Sequence, residues 1–193
     1  MKKILLLIGV MSCVCISFLV GCSSMSVLKV DTVLAIKSGV TNKEQVVKML
    51  GKPIKIIDNE FIYLYGNSEA LKGKVRKQET HVFFDSAGIV SKTSFVHAVQ
   101  GGGIHDLSAV QRTLIPLRVG KAFIDSVKEM LYPSMFVDYY ENGVLLYKAL
   151  QYQTAMPESR AFANLRHVNS MENEDGNFSY EVFFTVEGVL KKK

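Results

Sequence analysis

His81-Val82-Phe83-Phe84-Asp85-Ser86-Ala87-Gly88-Ile89-Val90 decides how this chain is read, because it returns 100 residues later as Glu181-Val182-Phe183-Phe184-Thr185-Val186-Glu187-Gly188-Val189-Leu190. Each copy holds two strand-forming runs joined by a short polar turn whose glycine suits a positive-φ position. A second echo lies upstream. Ile36-Lys37-x-Gly39 recurs as Leu117-Arg118-x-Gly120, and the same offset of 81 pairs Val46 with Val127, Met49 with Met130 and Leu50 with Leu131. Two echoes in one order identify an internal repeat. The two offsets differ by 19, the number of extra residues in the second copy.

Working outward, residues 27–38 space Val30, Val33 and Leu34 as a helix does, and Gly39 fits the stop. Thr41-x-x-Glu44 reads as a capping box. It opens a helix of Val46, Val47, Met49 and Leu50, which Gly51 and Pro53 close. Residues 54–57 and 61–65 flank a polar bend and read as a hairpin; 80–85 and 89–96 read as another. In the second copy, 107–115 and 123–131 are the helices, with Ala122 standing where Thr41 did. Residues 135–140 and 144–150 form a hairpin on Asn142-Gly143, a dipeptide that favours the type I′ turn. Residues 178–185 and 189–193 close the sheet, and 158–166 form a short helix inside the insertion.

The expected fold class is therefore α+β, with two tandem modules, each of two helices and a four-stranded antiparallel sheet. They span 22–98 and 107–193, separated by a Gly-rich linker at 99–106. Gln100-Gly101-Gly102-Gly103 lacks the lysine and the context of a phosphate loop.

The N-terminus has its own logic. Met1-Lys2-Lys3 precedes an apolar run from Ile4 to Val20, followed by Gly21-Cys22-Ser23-Ser24. Basic head, apolar middle and small-residue exit make residues 1–21 a signal peptide. A spanning helix would need about 20 apolar residues and a basic stop, and the stop is missing. Leu19-Val20-Gly21-Cys22 resembles the lipobox of bacterial lipoproteins, which implies lipidation at Cys22. Several acyl chains, at about 0.8 kcal/mol per buried methylene, hold a protein on a bilayer. Ser23, where inner-membrane lipoproteins carry aspartate, points to the outer membrane, facing the periplasm.

Cys13, Cys15 and Cys22 are the only cysteines, so the exported part has neither disulfides nor thiolate chemistry. Losing Lys2 and Lys3 leaves 21 basic against 18 acidic residues, a net +3, too small a charge to argue for nucleic acid. His81, His97, His105 and His167 show no ligand spacing, and no G-x-S-x-G elbow occurs. The expectation is a protein with no enzymatic activity, no cofactor and no metal, and nothing points to a small-molecule ligand.

A binding face is expected on the sheet. Period two puts His81, Phe83 and Asp85 on one side and Val82 and Phe84 on the other. The repeat groups Glu181, Phe183 and Thr185 likewise. Sending Ile62 and Leu64 to the helices leaves Phe61, Tyr63 and Tyr65 outward, joined in the second copy by Phe136, Asp138, Tyr140, Leu145 and Tyr147. Such rings are enriched at interfaces. The rival readings are a slip of parity that makes them core, or rings that seal the modules together. The basic stretch Lys72, Lys74, Arg76 and Lys77 and the acidic Glu172, Glu174 and Asp175 read as solvated loops, and Lys191-Lys192-Lys193 as the soluble end of an edge strand.

Ile36, Gly39, Val40, Thr41, Val46, Leu50, Gly51 and Pro53 together resemble the opening motif of the BamE (SmpA/OmlA) outer-membrane lipoprotein family. Phe83, Phe84, Asp85 and Gly88 are similar to that family's later strand pair. The resemblance implies a lipid-anchored envelope lipoprotein that acts as a protein-protein interaction module, in outer-membrane protein assembly or envelope integrity. The tandem plan is similar to the β-lactamase inhibitor protein, which keeps open inhibition of a periplasmic hydrolase such as a β-lactamase. A lipid- or peptidoglycan-binding envelope component is the third reading. Both likenesses have a departure: the assembly factor has one module, and the inhibitor has disulfides.

Overall fold

A helix begins where a side chain can take its orphan amides. The computed structural model describes residues 29–66, 77–154, 168–172 and 178–191. In it, α1 (Val30–Leu34) is followed by α2 (Lys43–Leu50). The Asn42 side chain accepts from the Gln45 amide while Gln45 Oε1 accepts from the Asn42 amide, each at 2.9 Å. The capping box thus lies one residue beyond the Thr41–Glu44 pair expected, because Thr41 Oγ1 already accepts from the Lys37 amide at 2.9 Å. Asp106 caps α3 (Leu107–Leu114) by accepting from the Ala109 amide. The first residue position before α4 (Ile124–Met130) is Phe123, which offers no side-chain cap.

Eight strands follow from the alternating runs: β1 (Lys55–Ile57), β2 (Glu60–Gly66), β3 (Lys77–Phe84), β4 (Val90–Gln100), β5 (Met135–Glu141), β6 (Val144–Thr154), β7 (Val168–Glu172) and β8 (Phe178–Phe184). They form one antiparallel sheet in the order β1-β2-β3-β4-β5-β6-β8-β7. The expectation of two tandem helix-helix-four-stranded modules is therefore corrected. A single eight-stranded sheet runs through the molecule, and the described helices are four short ones, so the structure is mostly sheet.

The physical reason lies at β4 and β5, which pair from Ser94↔Glu141 to Gln100↔Met135. Two separate sheets would each leave a row of unpaired amides and carbonyls at these strands; here each edge satisfies the other. Gly101 and Gly102, expected in a linker between separate modules, extend this contact instead. Gly101 N–H donates to Ser134 O at 2.8 Å and Gly102 N–H to Pro133 O at 2.7 Å.

Two further differences concern the end of the chain. Strand β7 lies in the insertion, where no strand was expected, and it rather than residues 189–193 forms the sheet edge. Val189 and Leu190 make only isolated bridges, to Phe123 and Phe184. The expected signal peptide at 1–21, Cys22, the expected helix at 158–166, Lys72, Lys74, Arg76, Glu174, Asp175 and the last two lysines lie outside the described residues.

The sequence echo reappears as a repeated set of backbone bonds. Gly39 N–H donates to Val90 O and Gly120 N–H to Leu190 O; Lys43 N–H donates to Gly88 O and Ile124 N–H to Gly188 O; Val90 N–H donates to Thr41 O and Leu190 N–H to Ala122 O. Each set ties the entry of a helix to the turn of a late hairpin. Gly188 illustrates why glycine is needed there: its φ is +82°, and a Cβ would stand 2.8 Å from Ile124 Cγ2. Both strain and crowding exclude a larger residue.

The helices cover one face of the sheet. Val33, Ile36, Val46 and Leu50 pack on Phe61, Tyr63, Val82, Phe84 and Phe95. Val110, Leu114 and Val127 pack on Leu150, Tyr152, Tyr180, Val182 and Phe184. Each fully buried large side chain of this kind contributes about 1.5–3 kcal/mol.

Candidate functional site

Cross-strand register settles which residues share a face. Phe61 is opposite Val82, Tyr63 opposite Thr80 and Tyr65 opposite Gln78, and all three rings join the core beneath α1 and α2. This corrects the outward placement of Phe61, Tyr63 and Tyr65: Tyr63 is 1% exposed and Phe61 9%. The polar end of each tyrosine explains the choice. Tyr65 Oη donates to Leu50 O at 2.6 Å and Tyr63 Oη to Gly51 O at 3.3 Å, so both supply donors to the end of α2. Tyr152 Oη does the same for Leu131 O at 3.1 Å.

Phe136 and Tyr140 also face the helices, packing against the second and the first core respectively. A register shift beside Tyr140 sets Tyr139 opposite Tyr147 and Tyr140 opposite Leu145. Tyr147 therefore parts company with Leu145 and goes to the other face, with Phe83 and Phe183. Of the eight aromatic positions expected outward, the structure brings these three to the helix-free side, but only Phe83 and Tyr147 are half-buried there; Phe183 is 4% exposed, so its expected role as an accessible partner-binding ring is corrected.

That open face carries a third apolar cluster, made of strand residues alone: Ala98, Val137, Ala149 and Phe183, ringed by Val96, Met135, Tyr139 and Tyr147. Tyr139 stacks on Tyr147 with ring centroids 4.5 Å apart, and Phe183 meets Tyr147 edge-on at 5.4 Å. Tyr139 Oη donates to Glu181 Oε1 at 2.7 Å. Burial, and then the Glu181 charge, push the Tyr139 phenol far above its ordinary pKa. Lys191 places its ammonium 4.7 Å above the Tyr147 ring. Tyr139 and Lys191 were not foreseen; the parity that Val137 and Tyr139 share was the available signal.

Toward β2 the same face becomes charged. His81 Nδ1 lies 2.5 Å from Glu60 Oε1 and Nε2 lies 2.9 Å from Glu79 Oε1. Burial alone would lower the imidazole pKa, but the two carboxylates outweigh it and raise it. Phe83 stacks on His81 at 6.3 Å. Lys92 pairs with Glu141 at 2.6 Å nearby.

The helix-covered face has a polar interval between its two cores. Gln78, His97, Asp138 and Lys148 occupy successive strands at matched register, and Gln78 Nε2 contacts His97 Nδ1 at 3.0 Å. Asp138, expected on the outward face, belongs here. Burial raises its carboxyl pKa against the pull of Lys148 and His97.

Among the described residues no cluster of three or more His, Cys, Asp or Glu has metal-ligand geometry, and no helix is long and apolar enough to cross a membrane. No protein-family model matches the chain, and no curated protein or solved structure resembles it closely enough to count as a match.

Proposed function

We propose that this protein is a non-enzymatic lipoprotein of the cell envelope, held on the periplasmic side of the outer membrane by lipid on Cys22, and that it docks another protein on the open face of its sheet. The observation that carries the docking role is the Tyr139, Tyr147 and Phe183 cluster, seated on the side of the sheet away from all described helices. Phe183 is only 4% exposed and backs the cluster, while the half-buried Tyr139, Tyr147 and Phe83 offer ring area on a rigid sheet at little cost in conformational entropy. The lipobox-like Leu19-Val20-Gly21-Cys22 and the resemblance of residues 36–53 to the BamE family support the compartment.

Affinity capture of the lipidated chain from envelopes tests this reading. A specific envelope partner retained by the wild type, and lost in Phe83→Ala/Tyr147→Ala while that variant still unfolds cooperatively well above the capture temperature, is the expected result. Capture that is unchanged in that variant would remove the open face from the account. Palmitate labelling that persists in Cys22→Ala would remove the anchor.

A further inference from the structure

A cleft of about 330 Å³ opens on the helix-covered side between α4 and strands β5 and β6, with Ile124, Lys128, Phe136, Asp138, Lys148 and Val186 among its lining. It lies on the face opposite the Tyr139 cluster, so nothing about it depends on partner docking there. Small-ligand sites begin at about this size and combine an apolar wall with a few charged groups.

Its two strand-borne charges set the chemistry. Asp138 and Lys148 are direct cross-strand neighbours in the β5–β6 ladder. Both are half-buried, and each feels the other's charge, with His97 adding to the pull on Asp138; neither makes a direct hydrogen bond or a close ion pair with the other or with any described residue. Lys128 is already committed to Asp125, 2.5 Å away. A half-buried carboxylate and a half-buried ammonium cost free energy unless something hydrogen-bonds to them. Phe136, Ile124 and Val186 supply the apolar part of the lining, Asp125 and Glu187 complete its acidic part, and Lys128 places its ammonium 6.0 Å from the Phe136 ring centroid.

We propose that this cleft binds a small zwitterion with an apolar side chain, of the free α-amino acid class. The ligand's ammonium is held by Asp138, its carboxylate by Lys148, and its side chain lies against Phe136. The carboxyl of Asp138 then gains hydrogen-bond donors beyond the through-space charges of Lys148 and His97, and both ends of the ligand are read at once. A ligand with only one of the two charges would leave the other protein group without a hydrogen-bond partner, and such mismatches are costly.

The test is a calorimetric titration of the full chain in detergent with three probes of one shape: L-leucine, 3-methylbutan-1-amine, which lacks the carboxylate, and 4-methylpentanoate, which lacks the amine. Saturable binding of leucine, with each analogue about ten-fold weaker or more, is expected. In Lys148→Met the preference for leucine over the amine disappears; in Asp138→Asn the preference over the carboxylate disappears. No saturable binding of leucine at millimolar concentration, or equal binding of all three probes, overturns the proposal. The three-probe comparison on the wild type decides the matter even where a variant folds poorly.

Discussion

Tyr139 and Glu181 are joined across an intervening strand: the phenol on β5 reaches over β6 and donates to the carboxylate on β8 at 2.7 Å. Glu181 is only 3% exposed, so this donor offsets part of the cost of burying its charge. Tyr139→Phe removes the donor and keeps the ring stack. It is expected to cost about 1–3 kcal/mol in urea unfolding at neutral pH, lowering Tm by about 2–4 °C for each kcal/mol. In a Glu181→Gln background, where no charge is buried, the same change should cost less; an equal cost would show that the carboxylate is not what the phenol serves.

His81 gives the open face a pH dependence of defined sign. Its folded-state pKa is raised by Glu60 and Glu79 in spite of burial, so it lies above the value of about 6.5 in the unfolded chain. The stabilisation is complete below that unfolded value and is lost as pH rises through the folded-state pKa. Wild type should therefore exceed His81→Gln in stability by more at about pH 5.5 than at about pH 8.5. Denaturation curves whose separation grows with pH would refute the clamp.

Gly101, just past the end of β4, lies close against Pro133, just before β5. A Cβ there would collide with the Pro133 carbonyl oxygen, whereas one on Gly103 meets nothing within 4 Å. Gly101→Ala is expected to cost about 1–3 kcal/mol by overpacking, and Gly103→Ala to stay within about 0.5 kcal/mol. Comparable thermal shifts for the two would mean that the segment is a loose joint after all.

How much of this could be read from the sequence depends on how local each determinant is. The Asn142-Gly143 turn, with φ of 49° and 78°, is a property of two residues and was legible. So was the glycine of each late hairpin. The continuous sheet was not, because β4–β5 pairing joins residues about 40 apart by backbone groups that carry no sequence code. The faces of β2 were misread because Phe61, Tyr63 and Tyr65 alternate with Ile62 and Leu64, apolar on both parities, and only the carbonyls at the end of α2 make the tyrosines the inward choice. In β6 the register shift opposite Tyr140 broke the period on which the grouping of Leu145 with Tyr147 relied. The cleft between Asp138 and Lys148 exists only through cross-strand register, which no local pattern announces.

The reassigned faces separate stability from binding. Tyr63→Ala empties a buried site and loses a hydrogen bond to Gly51, so it should cost about 3–5 kcal/mol. Phe83→Ala, from a half-buried ring on the open face, should cost about 1 kcal/mol, the usual size for a single substitution. Guanidinium midpoints in the reverse order would return Phe83 to the core.

Site-specific photo-crosslinking in intact envelopes tests the docking claim most directly, with the probe placed in turn at Phe83 on the open face and at Val47, an exposed apolar position on α2. The account predicts one discrete protein adduct from position 83 and none from position 47. An adduct from position 47 with none from position 83 would contradict it.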